Sequence, residues 1–396
     1  MDSKLYSTFY LNNKHTQLFC DKASRAFIQY RDFRINLLTG ERENKDLDVF
    51  HNELELYKIN QYFDTPTVIH FFYEYGFKTL NFLDYLDSSK PLAIFLDYSR
   101  VKTIDIYSFQ YESQLKFKPL TMHSFEDYHT KFQKTYKKLL DGECYQMNLT
   151  IPFYLRANKS IPPKMYINKF WKDPLKVGAY AHGTYIDALG KLYLSNSPEC
   201  LFQIVKRDKN YKILSMPIKG TLEVKNNDER KLAWDKLIFS KKDDAELNMI
   251  TDLMRNDLSS ITKKSSRVVF KKYPLHVPGL IHQFSVIESP IESHTSIREI
   301  MEKIFPGGSI TGAPKRNVFK LISEIEKYER GFYCGSTLLM YKNSKSASIN
   351  IRSAEIDYIQ NEIRYGAGGG VTLLSQGNVE YNEALAKLKS FLLLLN

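Results

Sequence analysis

The chain has 396 residues, 43% of them hydrophobic and 14% aromatic, enough for a large buried core, and its 26% charged residues match an ordinary solvated surface. The formal charge of +11 is carried by lysines spread along the whole chain. With no long basic run and no aromatic-interleaved signature, this pattern favours attraction of small anions over nucleic-acid binding. No apolar h-region follows Met1, and the longest apolar run, residues 391–395, is too short to cross a bilayer, so the expectation is a soluble, cytoplasmic protein without membrane contact.

Residues 1–120 contain alternating segments, TVIHFFYEY and PLAIFLDYSRVKTIDIYSF, that predict antiparallel strands and carry no recognisable chemistry. Residues 124–140 predict a helix, and GECYQMNLTIPFYLRA opens a strand-rich stretch continued by KLYLSNSPECLFQIV and YKILSMPI. In DDAELNMITDLMRNDLSSI, the spacing of Leu247, Ile250, Met254 and Leu258 predicts an amphipathic helix with Glu246 near its start. PGGSITGAPKRNVFKLISEIEKYERG reads as a glycine-rich loop, a helix with Pro314 in its first position, and a stop at Gly331. Two strands follow, FYCGSTLLMY and SASINIRSAEID; alternation in the second puts Asn350 and Arg352 opposite Ile349 and Ile351. After RYGAGGGVTLL, a turn at Gly377 and Asn378 leads into a last helix with a seam of Leu385, Leu388, Leu392 and Leu395. Residues 1–120 and 121–396 are expected to be two parts of one integrated domain. The four cysteines, Cys20, Cys144, Cys200 and Cys334, are far apart and form no CxxC pair, which predicts reduced structural thiols.

Several residue types point to chemistry. Glu380 and Glu383 are three apart at the start of the last helix and share a face; with Glu246 they supply carboxylates suited to a hard cation such as Mg2+. Acidic residues in first turns are also ordinary helix design. SITGAPK and GAGGG have the composition of anion-holding elements, because glycine lets backbone N–H groups approach a carboxylate; neither matches a nucleotide-binding loop. Arg352 offers a planar fork for a carboxylate. Lys219, in MPIKGT between an apolar strand and a glycine turn, is a candidate nucleophile.

Taken in order, GECYQMNLT, SNSPECLF, PIKGT, AELNMITDLMRNDL, IHQFSVIES, FPGGSITGAPK, RGFYCGS, NIRSAEI, YGAGGGV and VEYNEALAK resemble segments of the chorismate-utilising enzymes, over about residues 142–389. The resemblance implies an α+β fold: a large two-lobed sandwich of mostly antiparallel sheets, with helices outside and a deep central cleft that binds chorismate through magnesium. It implies Glu246 and Glu383 as Mg2+ ligands with Glu380 close by. Tyr333 and Arg352 would grip the enolpyruvyl carboxylate, Gly368, Gly369, Gly370 and Thr311 would contact the ring carboxylate, and Lys315 and Gln146 would be further substrate-binding residues. His282 falls on the histidine of the family's H-L-x-S segment, beside the ring, where a core histidine is the alternative.

Within the family, water-adding members place a basic lysine where this chain has Gln146, and a neutral amide cannot activate water. The PIKGT lysine is similar to the aminodeoxychorismate synthases, whereas anthranilate synthases resemble PIAGT. On this resemblance Lys219 adds to ring C2, Glu199 acts as general acid and base, and ammonia takes the place of the C4 hydroxyl. The chain shows no glutaminase-type nucleophile segment, so ammonia is expected from a separate glutamine amidotransferase subunit. An anthranilate synthase component I or a non-catalytic basic binding protein of the same fold are the alternative readings. Two positions depart from the family pattern: Leu247 after the glutamate, and TLLM after Ser336.

Overall fold

The computed structural model describes residues 4–11, 16–106, 115–121, 123–208, 210–224, 227–277 and 280–395. Every strand pairing among these is antiparallel, and helices pack against the sheet, giving the expected α+β class. Strands from the two ends of the chain share one hydrogen-bonded framework: Leu5–Leu11 pairs with His182–Ile186, and Phe63–Phe71 pairs with Ser336–Lys342. Strands Leu5–Leu11 and Phe63–Phe71 are therefore hydrogen-bonded into the same sheet as strands of the later part of the chain. No helix among the described residues is long and apolar enough to cross a membrane. All four cysteines are free and buried.

Local sequence explains most elements. Ser124 caps the helix Phe125–Leu140 with a full capping box, and Ser240 caps Lys241–Thr262, whose Leu247, Ile250, Met254 and Leu258 all lie in the core. The C-terminal helix begins at Gly377 itself and runs to Leu395. TVIHFFYEY is strand only as far as Phe71; Tyr73–Tyr75 winds into a short 3-10 turn. The last residues of PLAIFLDYSRVKTIDIYSF lie outside the described residues, and its strand is Ala93–Asp105.

Three expectations near the site need correction. Pro314 is the N-cap of Lys315–Glu326, not its first helical residue, because Gly312 and Ala313 stay extended to pair with Gln146 and Met147. That helix ends at Lys327 in the left-handed conformation, four residues ahead of Gly331. SASINIRSAEID is not one strand: it is Ser344–Ile349 and Ser353–Asp357, with Arg352 in a bend between them at φ +51°. Strand alternation therefore does not decide where Arg352 points; the bend does.

Candidate active site

Three connectors stitched together by backbone hydrogen bonds present Glu199, Tyr333 and Arg352. Residues 196–199 link two strands, and their backbone is tied to the arginine bend: Asn196 N–H donates to Arg352 O at 3.1 Å and Ile349 N–H to Glu199 O at 3.1 Å. The turn carrying Tyr333 is tied to the same bend, with Cys334 N–H donating to Asn350 O at 2.9 Å and Asn350 N–H to Gly335 O at 2.8 Å. The Tyr333 ring lies flat against Gly366, where an added Cβ would come within 2.2 Å of its Cδ1. Glycine at 366 therefore makes room for the ring.

Arg352 Nη2 lies 3.0 Å from Nε2 of His282. A guanidinium can only donate, so Nε2 accepts and His282 is neutral. Burial, with the Arg352 charge adding to it, pushes the imidazole down to about 3. Among the described residues Arg352 has no carboxylate partner, and burial lowers its own pKa. A desolvated guanidinium of this kind is matched to an incoming carboxylate.

Glu199 is buried, and desolvation raises its carboxyl to about 7; the Ser309 hydroxyl, the Lys219 ammonium and the Ile218 backbone offset part of the effect. Lys219 sits in the strand Ile218–Glu223, half-buried and close enough to Glu199 to act on its charge. The strand's register shifts between Lys219 and Thr221, where Gly220 adopts φ +76°. An acid half-protonated near neutrality beside an amine suits proton exchange with a leaving hydroxyl and an arriving amine.

The second group gathers on the glycine strand, Glu362–Val371, which pairs Gly369 with Leu149 and Gly370 with Asn148. An added Cβ at Gly369 would stand 3.0 Å from Glu380 Oε2 and 3.6 Å from Glu383 Oε1. One at Gly370 would stand 2.2 Å from Gln146 Nε2 and 3.4 Å from Glu246 Oε2. The structure thus brings Gln146, Glu246, Glu380 and Glu383 to two adjacent glycines. Glu246 and Glu380 are buried, whereas Glu383 is exposed and accepts from Lys387 Nζ at 2.7 Å. Lys387 also donates to Gly368 O at 2.7 Å. By residue type alone, three carboxylates beside side-chain-free backbone are donors that a hard cation takes. Among the described residues no three of His, Cys, Asp or Glu stand in metal-holding geometry.

Two predicted residues are turned elsewhere. The Thr311 hydroxyl donates into its own turn, to Gly307 O at 3.0 Å. Lys315 is buried, ion-paired with Asp257, and donates to Ile304 O at 3.1 Å, which gives it the role of a tie between helices. Sequence reasoning missed two polar groups at the site, Gln283 and Ser309. Both are buried; like the Gln146 amide, the Gln283 amide has no hydrogen-bond partner for Nε2 or Oε1 among the described residues, while the Ser309 hydroxyl faces Glu199. Gln283 had a signal, since it stands at the leucine position of the H-L-x-S pattern.

The pattern of the chorismate binding enzymes matches residues 104–393. The chain belongs to that family. Over 274 residues it is 33% identical to "Aminodeoxychorismate synthase component 1" of Escherichia coli K12, and over 273 residues 31% identical to the protein of that name from Klebsiella aerogenes; each match covers 67% of this chain and 57% of the relative. The chain thus spans little more than half the length of these curated relatives. In fold it is similar to anthranilate synthase component I from Streptococcus pneumoniae TIGR4, with a TM-score of 0.76 at 19% identity, covering 96% of this chain and 92% of that one. It is similar too to a putative isochorismate synthase, DhbC, from Bacillus anthracis, with a TM-score of 0.74 at 16% identity, covering 100% and 97%.

Proposed function

We propose that this chain aminates chorismate, forming 4-amino-4-deoxychorismate on the route to p-aminobenzoate and folate, with ammonia supplied by a glutamine amidotransferase subunit. The observation that carries the reading is the Lys219 amine acting on the charge of a buried Glu199 whose carboxyl is raised to about 7. Relatives named component 1 of an aminodeoxychorismate synthase support it.

In this mechanism the enolpyruvyl carboxylate pairs with Arg352 beside Tyr333. The Lys219 nitrogen forms a bond to ring C2, both ring double bonds shift, from C1=C2 and C5=C6 to C1=C6 and C4=C5, and the C4–O bond breaks; the oxygen leaves as water with the proton of Glu199. The Glu199 carboxylate then takes a proton from the new C2 ammonium. Ammonia attacks C4, both double bonds shift back, and the C2–N bond breaks as Glu199 returns its proton to the departing nitrogen, restoring the neutral Lys219 amine; the surplus proton of the C4 ammonium then passes to the Glu199 carboxylate and restores the acid. Glu246, Glu380 and Glu383 would hold Mg2+, which supplies positive charge for the ring carboxylate. Gln146 cannot act as the base of water addition, which favours amination over hydration.

Product analysis tests this reading. Incubation with chorismate, Mg2+ and ammonium salt is expected to give aminodeoxychorismate, converted to p-aminobenzoate when a lyase is added. Fluorescent anthranilate with pyruvate release, or isochorismate, would refute it.

A further inference from the structure

Gln283 lies in the strand Leu280–Ile291 directly opposite Lys219 of Ile218–Glu223. Residues opposed across an antiparallel pair send their side chains to the same face, with Cβ atoms about 5 Å apart. Gln283 is 0% exposed, and neither its Oε1 nor its Nε2 has a hydrogen-bond partner among the described residues. Buried amides are almost always satisfied, so one left with both ends open beside a reactive amine calls for a function. An added Cβ at Gly220 would stand 3.2 Å from Gln283 Nε2 and 3.2 Å from Asp243 Oδ1, so the glycine leaves the amide room to turn. The chemistry of the group also fits. A neutral amide oxygen accepts an N–H without holding the amine in its charged, non-nucleophilic form, as a carboxylate would.

We propose that Gln283 is a positioning residue for Lys219: its Oε1 accepts one N–H of the amine and aims the nitrogen lone pair at the bound ring. The proposal rests on the reading of Lys219 as nucleophile and adds a residue that the mechanism above does not use. Two variants test it, with readouts that separate the two ideas. Gln283→Leu removes the acceptor at similar volume. Its kcat is expected to fall about a hundredfold, the size of effect that misplacing a reacting group produces, with KM and the dissociation constant for chorismate unchanged. Gln283→Glu puts a carboxylate against the amine. In the substrate-free protein, acetylation of Lys219 by acetic anhydride at pH 8, quantified by peptide mass spectrometry against an exposed lysine, is expected to slow several-fold. Unchanged Lys219 labelling in Gln283→Glu would overturn the proposal. So would Gln283→Leu with normal kcat, or with raised KM alone, which would make the amide a substrate contact. Slowed labelling in a wild-type background that never aminates chorismate would keep the Gln283–Lys219 contact and sink the nucleophile reading instead.

Discussion

Gln146, Asn148 and Thr150 share one face of the strand Gln146–Ala157, yet the polar groups at its two ends are finished in opposite ways. At the Thr150 end, Arg330 is buried and all three of its nitrogens donate: Nε and Nη2 to Glu326 at 3.0 and 2.8 Å, Nη1 to Ile310 O at 2.7 Å, and Nη2 to Asn148 O at 2.8 Å, with the Tyr73 ring 4.6 Å away. Glu326 also accepts from Thr150 N–H at 2.8 Å, and Glu74 accepts from Arg330 N–H at 2.7 Å. At the Gln146 end, among the described residues, two glutamine amides have no partner and Arg352 has only a neutral histidine. At one end the buried charges are paired within the protein and hold helix, strand and turn together. The other leaves polar groups open, and on the proposed function a ligand completes them, so that the same residue types would serve stability in one place and chemistry in the other.

Substitutions at the open end should cost turnover and leave folding intact. Lys219→Ala should abolish amination at saturating ammonia while its thermal unfolding matches the wild type, checked by product chromatography and calorimetry; wild-type turnover would remove the nucleophile. Glu199→Gln should lower kcat by roughly 10²–10⁴-fold, the range for a general acid. In the wild type, loss of the C4 hydroxyl needs Glu199 protonated. With its carboxyl raised to about 7, single-turnover rates should hold below that pH and fall as pH rises through it. Arg352→Ala should cost about 2 kcal/mol or more of substrate binding, read as a rise in chorismate KM of tens of fold.

At the closed end the pattern should reverse. Arg330→Ala strands the Glu326 carboxylate in the interior and should cost about 3–5 kcal/mol in denaturant unfolding. Glu74 gives a smaller effect with a definite sign. Burial raises its carboxyl from 4.5 to about 7, so the folded state binds the proton more tightly than the unfolded one. The stability this contributes is full below about 4.5 and is lost as pH rises through about 7. Glu74→Gln, neutral throughout, should flatten the difference in unfolding free energy between pH 5 and pH 8 by about 2 kcal/mol.

The contrast also marks what the sequence makes legible. The amphipathic helices, the glycine strand and the ordered motifs are local patterns, and they lead to Glu199, Lys219, Glu246, Arg352 and the GAGGG carboxylates. The closed cluster is not legible because Glu74, Thr150 and Arg330 meet only through tertiary contacts that no spacing records. Alternation does not reach Arg352, because a left-handed residue ends the strand period at that point. Gln283 is marked in the sequence only by standing at the leucine position of the H-L-x-S pattern; its amide, without a partner among the described residues, is what the structure adds.

The most direct measurement is intact and peptide mass spectrometry of the protein after mixing with chorismate and Mg2+ while ammonia is withheld. A covalent addition of chorismate less one water, mapped to the peptide containing Lys219 and discharged when ammonium is added, is the predicted result. Unmodified protein under conditions where added ammonia yields aminodeoxychorismate would show that the amine reaches C4 without Lys219 ever bonding to the ring.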